Sequence, residues 1–202
     1  MIAIVDYNVG NLHNLKNALD FQGIPNAFVR GPESLASYDH ILLPGVGAFK
    51  PAADHLRQAE LAAAVKERVA AGVPFLGVCI GMQLLFDASE EDGLHEGLGL
   101  MKGRIVRFSH ELKIPQIGWN TVSFQRPDPI LDGIPDNSYF YFVHSYRPVL
   151  DDPRNALGVT EYGESFPAIV AKSNVWGVQF HPEKSQNAGL RLLKNFATIQ
   201  PA

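Results

Sequence analysis

Phe75-Leu76-Gly77-Val78-Cys79-Ile80-Gly81-Met82-Gln83 is the stretch that decides the fold class of this 202-residue chain. A short continuous apolar run, residues 74–78, leads straight into the cysteine, and helix-compatible residues follow. Continuous rather than alternating apolar strands imply a sheet covered on both faces. A Gly-x-Cys-x-Gly at a strand-to-helix junction has the form of a nucleophile elbow. The flanking glycines have a physical reason, because a sharply turned nucleophile leaves no room for neighbouring Cβ atoms. A lone cysteine ending a core strand commonly packs as a small hydrophobe. Glycines on both sides point instead to Cys79 as a nucleophile, its thiolate stabilised by the helix that follows and an oxyanion facing the amide of Ile80.

Outward from the elbow, the first half repeats one grammar of apolar run, turn and helical periodicity, which predicts βαβ units. Residues 2–5 read as a strand. A helix is expected from near Asn11, with Leu12, Leu15 and Leu19 on one face and Gly23 as its stop. Residues 41–43 run into the turn Pro44-Gly45-Val46-Gly47. Residues 52–71 are mostly good helix formers and end at Gly72. In the second half, residues 105–108, 121–124, 139–143, 157–162 and 175–180 read as strands, several of them antiparallel. A closing helix over 188–199 presents Leu190, Leu193 and Phe196 or Ala197 at helical spacing. The architecture expected is a three-layer α/β domain with an antiparallel strand extension, one domain over residues 1–202.

A thiol needs a base, and Gln179-Phe180-His181-Pro182-Glu183-Lys184 supplies one where a strand ends in a turn. Open α/β sheets place their sites at strand C-terminal ends, so His181 and Cys79 can converge although remote in sequence. Glu183 is then near enough to accept the other imidazole N–H, holding tautomer and orientation as a triad acid does. In Leu43-Pro44-Gly45-Val46-Gly47-Ala48-Phe49, the glycines permit a peptide at Val46 or Gly47 to turn its N–H toward a substrate carbonyl oxygen, beside the amide of Ile80. That loop lacks the third glycine of a dinucleotide fingerprint and the Gly-Lys-Ser/Thr of a Walker loop.

Composition narrows the rest. The hydrophobic fraction of 46%, with 19% charged residues, is an ordinary globular balance. A net charge of −4 offers no basic excess for nucleic acid. The single cysteine excludes an internal disulfide and suits a reducing cytosol. The amino-terminal segment lacks the basic region of a signal peptide, and the longest apolar stretch falls well short of the ~20 residues that span a bilayer. A cytoplasmic protein without membrane partners is expected. Histidines 13, 40, 55, 95, 110 and 144 form no ligand pattern with the one cysteine, so neither metal nor cofactor is implied.

Together the three motifs resemble the class I, triad-type glutamine amidotransferases, in which the elbow, the Pro-Gly-rich oxyanion loop and His-Pro-Glu occur in this order. The resemblance covers the whole chain and implies a flavodoxin-like mixed sheet. Ile4-Val5-Asp6-Tyr7-Asn8-Val9-Gly10-Asn11-Leu12, Pro115-Gln116-Ile117-Gly118-Trp119-Asn120 and Tyr141-Phe142-Val143-His144-Ser145-Tyr146 look further like the glutaminase subunits of imidazole glycerol phosphate synthases. The implied chemistry is hydrolysis of L-glutamine through a Cys79 thioester. Ammonia would pass to a (β/α)8 barrel cyclase subunit that makes imidazole glycerol phosphate and AICAR in histidine biosynthesis. By the same resemblance, Gly47, Gln83, His144 and Ser145 would contact glutamine. Asn11, Trp119, Tyr141 and Lys184 would lie toward the cyclase, and hydrolysis would be slow until the cyclase binds its ligand. The chain departs from the family pattern at Val78 and Ile80, often Ile and Leu, and at Asn8, where Gly is common. Two alternatives remain at this point: a glutaminase subunit for pyridoxal phosphate, purine or anthranilate synthesis, and a non-enzymatic flavodoxin-fold protein of the DJ-1 kind. The residue-44 loop and Gly118-Trp119-Asn120 argue against the first, and His181-Pro182-Glu183 against the second.

Overall fold

The structure, a computed structural model, describes residues 1–8, 12–109 and 111–201. Its first half follows from alternating buried strands and amphipathic helices: β1 (Ile2–Val5), α1 (Leu12–Phe21), β2 (Asn26–Val29), β3 (His40–Leu43), α2 (Phe49–Gln58), α3 (Leu61–Ala70) and β4 (Phe75–Val78). Strands β1, β3 and β4 are buried at every position, as a sheet covered on both faces requires. The short helix α4 (Ile80–Gln83) follows β4, and then β5 (Phe86–Ser89), β6 (His95–Glu96), β7 (Met101–Arg107), β8 (Gln116–Phe124) and β9 (Ser138–His144). The chain closes with β10 (Tyr146–Leu150), β11 (Ala156–Glu161), β12 (Ser165–Lys172), β13 (Val175–Val178) and α5 (Gln186–Thr198).

Among the described residues, nine strands form one mixed sheet in the order β2-β1-β3-β4-β13-β12-β11-β8-β9. Neighbours from β2 to β13 run parallel, and each pair from β13 to β9 is antiparallel, so the expected extension is a continuation of the same sheet. Right-handed crossovers in opposite directions from β1 put α1 on one face and α2 and α3 on the other. Helix α5 packs against α1 and completes the first face. A second sheet, β10-β7-β5-β6, stands beside the first. No helix of the described residues is long and apolar enough to cross a membrane.

Several elements differ from the sequence-based expectation. Residues 52–71 form not one helix but two, parted at Glu60, which takes the left-handed φ of 57°. Leu56 and Leu61 are both buried. Five residues apart, they would lie about 140° apart around a continuous helix. The break brings both onto the sheet. Strands β2, β5, β6, β10 and β12 are additions, and proline masked two of them. Pro148 lies in β10, an edge strand, where a missing N–H costs no ladder bond. Pro167 lies where β12 pairs only with β11, because its register with β13 begins at Ile169. In α5, Leu192 with Leu193 and Phe196 is buried, while Leu190 is only partly covered.

What positions the site is the adjacency of β3, β4 and β13. Leu43 is level with Gly77, and Gly77 with Gly177. The three motifs therefore leave neighbouring strands at one end of the sheet. At the elbow Cys79 is held at φ 55°, ψ −111°, outside the regions L-residues favour. Such a conformation costs on the order of 1–3 kcal/mol and persists only when its surroundings over-determine it. Here they do: a Cβ on Gly81 would lie 1.8 Å from the Leu43 carbonyl oxygen, and one on Gly77 2.4 Å from that of Gly81. Gly81→Ala should therefore destabilise the fold by about 2–3 kcal/mol, read as a lower midpoint in urea unfolding, because backbone rather than a flexible side chain must yield.

Candidate active site

The turn Pro182–Lys184 returns the chain after β13, so Glu183 faces back onto His181, with Nδ1 2.9 Å from Oε1. Both side chains are buried. Cys79 is 4% exposed, so its sulfur is reached only through the cavity that it borders. Burial disfavours the charged form of His181, but hydrogen bonds with Cys79 and Glu183, and their charges, outweigh it and push the pKa up to about 10. The imidazole thus holds a proton beside the Cys79 sulfur. The His181 N–H donates to the Tyr141 carbonyl at 2.9 Å, and Ser185 Oγ donates to the His181 carbonyl at 2.6 Å. The first of these bonds ties the His181 backbone to β9.

Cys79, His181, Val46, Gly47, Ile80, Gln83, His144, Ser145 and Lys184 all border one cavity of about 350 Å³, a size suited to a small metabolite. A larger open groove of about 1020 Å³ between residues 124–136 and α5 contains none of these groups. Gly47 has φ +94° and Val46 is exposed, so this half of the loop is open to the cavity. Gln83 is buried, its Nε2 donating to the Tyr146 carbonyl at 3.3 Å and to Gln179 Oε1 at 3.1 Å. The ring of His144 is already engaged, Nδ1 2.8 Å from the Tyr146 carbonyl and Nε2 2.9 Å from the Gln116 carboxamide. Burial drives its pKa down to about 4, so it is a neutral structural ring and what this segment offers a ligand is backbone and Ser145.

Trp119, Tyr141 and Lys184 gather on a neighbouring surface. Trp119 and Tyr141 meet edge to face at 5.8 Å, and the Lys184 ammonium lies 5.7 Å from the centre of the Tyr141 ring. Asn11 lies outside the described residues. Among the described residues, no cluster of three or more His, Cys, Asp or Glu side chains is placed to hold a metal ion.

Three residues near the site escaped the sequence. Gln179 Nε2 lies 3.9 Å from the Cys79 sulfur, a donor aimed at that atom. Its signal was available, two residues before His181 just past the end of β13. Tyr7 donates its hydroxyl to the Pro44 carbonyl at 2.6 Å. Glu91 lines the cavity and accepts the Phe49 N–H at 2.7 Å. In sequence it sits within Glu90-Glu91-Asp92, which has the look of a solvated turn.

The two histidines carry opposite linkages to stability. The lowered pKa of His144 adds stability above about 6.5 that is lost as pH falls toward 4. The raised pKa of His181 adds stability below about 6.5 that is lost as pH rises toward 10. In a histidine NMR titration, His181 should stay protonated well above pH 8 while His144 stays neutral below pH 5. Glu183→Gln should lower the His181 midpoint and leave that of His144 in place. A normal midpoint near 6.5 for His181 would contradict this electrostatic picture.

A family model described as glutamine amidotransferase class-I matches residues 3–199. The chain is 47% identical over 201 residues to the imidazole glycerol phosphate synthase subunit HisH of Sulfurimonas denitrificans, covering 97% of each chain. It is 47% identical over 196 residues to the protein of that name from Desulfitobacterium hafniense, covering 97% of this chain and 93% of the relative. Among solved structures, PurLQS from Thermotoga maritima superposes with a TM-score of 0.79 at 20% identity, covering 96% of each chain. A crystal structure of a glutamine amidotransferase superposes with 0.76 at 21% identity, covering 98% of this chain and 100% of the other. At that identity the structures speak for the fold alone. The family match spans nearly every residue and aligns with close to half identity to full-length relatives, and the chain belongs to the class-I glutamine amidotransferases.

Proposed function

We propose that this chain, as a single amidotransferase domain over residues 1–202, is the glutaminase subunit of an imidazole glycerol phosphate synthase and acts in histidine biosynthesis. The observation that carries the chemistry is the strained Cys79 elbow at the end of β4, with a buried His181–Glu183 pair just beyond the end of the adjoining β13. The Cys79 thiolate attacks the carboxamide carbon of L-glutamine. Backbone amides of Ile80 and of Val46 or Gly47 hold the tetrahedral oxyanion. On collapse of that intermediate the C–N bond breaks, and the His181 imidazolium gives its proton to the departing ammonia. The ring, now neutral, takes a proton from water, the resulting hydroxide attacks the thioester, and glutamate leaves as the thiol is restored. Glu183 keeps the imidazole in the tautomer and orientation that both halves need.

Glutamine itself is held by Gly47, Gln83 and the 144–145 segment. Gln83 Oε1 is buried without a hydrogen-bond partner among the described residues, which leaves an acceptor for a substrate N–H. The relatives' name, a synthase subunit, supports a partner that consumes the ammonia. We assign that partner as a (β/α)8 barrel cyclase making imidazole glycerol phosphate and AICAR, docked on the surface of Trp119, Tyr141 and Lys184, with Asn11 as a further contact residue. A cytoplasmic setting fits the unpaired thiol. No cofactor enters any step.

Glutamate release should be slow from the chain alone and rise steeply with the cyclase and its ligand. Equal rates with and without them would remove the coupling. Cys79→Ala should abolish glutamate release while leaving the urea midpoint near that of the parent chain, and retained turnover would remove the nucleophile assignment.

A further inference from the structure

Gln179 stands between the Cys79 sulfur and the wall of the substrate cavity, and its backbone is fixed on both sides. The peptide joining Val178 to Gln179 accepts the Cys79 N–H at 2.8 Å and donates its own N–H to the Ala168 carbonyl at 2.9 Å. The side chain is fully buried. Its Nε2 lies 3.9 Å from Cys79 Sγ, and its Oε1 accepts from Gln83 Nε2 at 3.1 Å. Gln83 Nε2 also donates to the Tyr146 carbonyl at 3.3 Å.

A carboxamide has nearly the same outline either way round, so neighbours decide which end is which. Here a backbone group decides, because the Tyr146 carbonyl only accepts. Reversing Gln83 would set its oxygen against those of Tyr146 and Gln179, and reversing Gln179 would set its NH2 against that of Gln83. The line of bonds therefore ends in a donor at the sulfur. At its other end Gln83 Oε1, buried without a partner among the described residues, is left as an acceptor on a residue that lines the cavity. The sulfur's other polar neighbours are His181 and the Val143 carbonyl, the latter at 4.0 Å. A carbonyl favours the thiol, whereas an N–H donor favours the thiolate.

We propose that Gln179 is a further catalytic residue: its Nε2 supports negative charge on the Cys79 sulfur, while its Oε1 holds the Gln83 carboxamide with its acceptor turned to the substrate. This rests on the glutaminase reading. In that reaction the sulfur carries charge twice, when the thiolate attacks and when hydroxide attack on the thioester expels it. A donor already in place needs no reorganisation at either moment.

The test compares Gln179→Met, Gln83→Met and the double variant in the glutaminase–cyclase complex. Methionine is unbranched and of similar length but offers neither N–H nor carbonyl. Gln179→Met should lower kcat for glutamate release by about tenfold, as loss of a hydrogen bond to a charged group does, and raise KM by about fivefold. In the Gln83→Met background it should still lower kcat but change KM by less than about twofold. Alkylation of Cys79 by iodoacetamide in the chain alone should slow by about tenfold at neutral pH and converge with the parent once both thiols are ionised. The titratable groups around the sulfur, His181 and Glu183 beyond β13, Tyr7 beyond β1 and the cavity-lining Glu91 and Lys184, are the same in both chains. In the parent chain the Gln179 side-chain amide resonance should follow ionisation of the thiol and lose that step in Cys79→Ala, a readout that needs no Gln179 variant to fold. Unchanged kcat and alkylation in Gln179→Met, or an amide resonance indifferent to the thiol, overturns the support of the sulfur. KM effects that simply multiply overturn the hold on Gln83. A parent complex that releases no glutamate refutes the proposed function instead, and alkylation and the amide titration then decide the contact with the sulfur.

Discussion

Everything at the functional end of this molecule depends on how closely α4 approaches β3 and β4. Two glycines make that approach possible: Gly81 lies against the Leu43 carbonyl, and Gly77 lies beneath the carbonyl of Gly81. Closeness at these points turns the chain within one residue, which drives Cys79 to φ 55°, ψ −111° and aims its side chain off the end of the sheet. The strain is local, and the cost is met by the buried sheet around it, since β3, β4 and β13 are buried throughout. The same contact sets the first residues of α4 beside the loop that follows β3. Cys79 and the loop after β3 are therefore placed by one backbone constraint.

A second constraint is electrostatic. His181 and Glu183 are buried together, and a buried charge persists only when paired and hydrogen-bonded. The pairing here is asymmetric, because one carboxylate oxygen holds the imidazole while Glu183 Oε2 has no partner among the described residues. Gln179 joins the sulfur to Gln83, and Gln83 joins both to the Tyr146 carbonyl. The thiol thus sits in a connected polar wall rather than in an apolar slot. That wall also reaches the surface: Tyr141, whose ring packs with Trp119 and Lys184, accepts the backbone N–H of His181. The surface proposed for the partner and His181 are one hydrogen bond apart.

Much of this was legible in the order of residues. Glycines on both sides of Cys79, a Pro-Gly-Val-Gly turn and His181-Pro182-Glu183 each announce a strand end, because sharp turns leave few residue types possible. Other features were not legible. The second half hides β10 and β12 behind proline, whose tolerance depends on which neighbouring strand is present. The break at Glu60 answers the phase of two buried leucines against a sheet, and helix propensity is blind to that phase. Nor could the order of residues show that the His144 ring pairs with Gln116 and the Tyr146 carbonyl, one of them 28 positions away.

By itself the sequence determined the elements that short-range chemistry controls: buried parallel strands, the elbow, the turn after β13, and the residue types able to perform thiol chemistry. It also carried the family, since that rests on residue identity along the whole chain. Only the tertiary structure decided the strand order β3-β4-β13, which brings residues about a hundred positions apart to one end of the sheet. It alone placed Tyr7, Glu91 and Gln179 beside the reactive groups. The reason is physical: a turn or strand is specified by neighbours in the chain, whereas a hydrogen bond between distant side chains exists only once packing has fixed both ends.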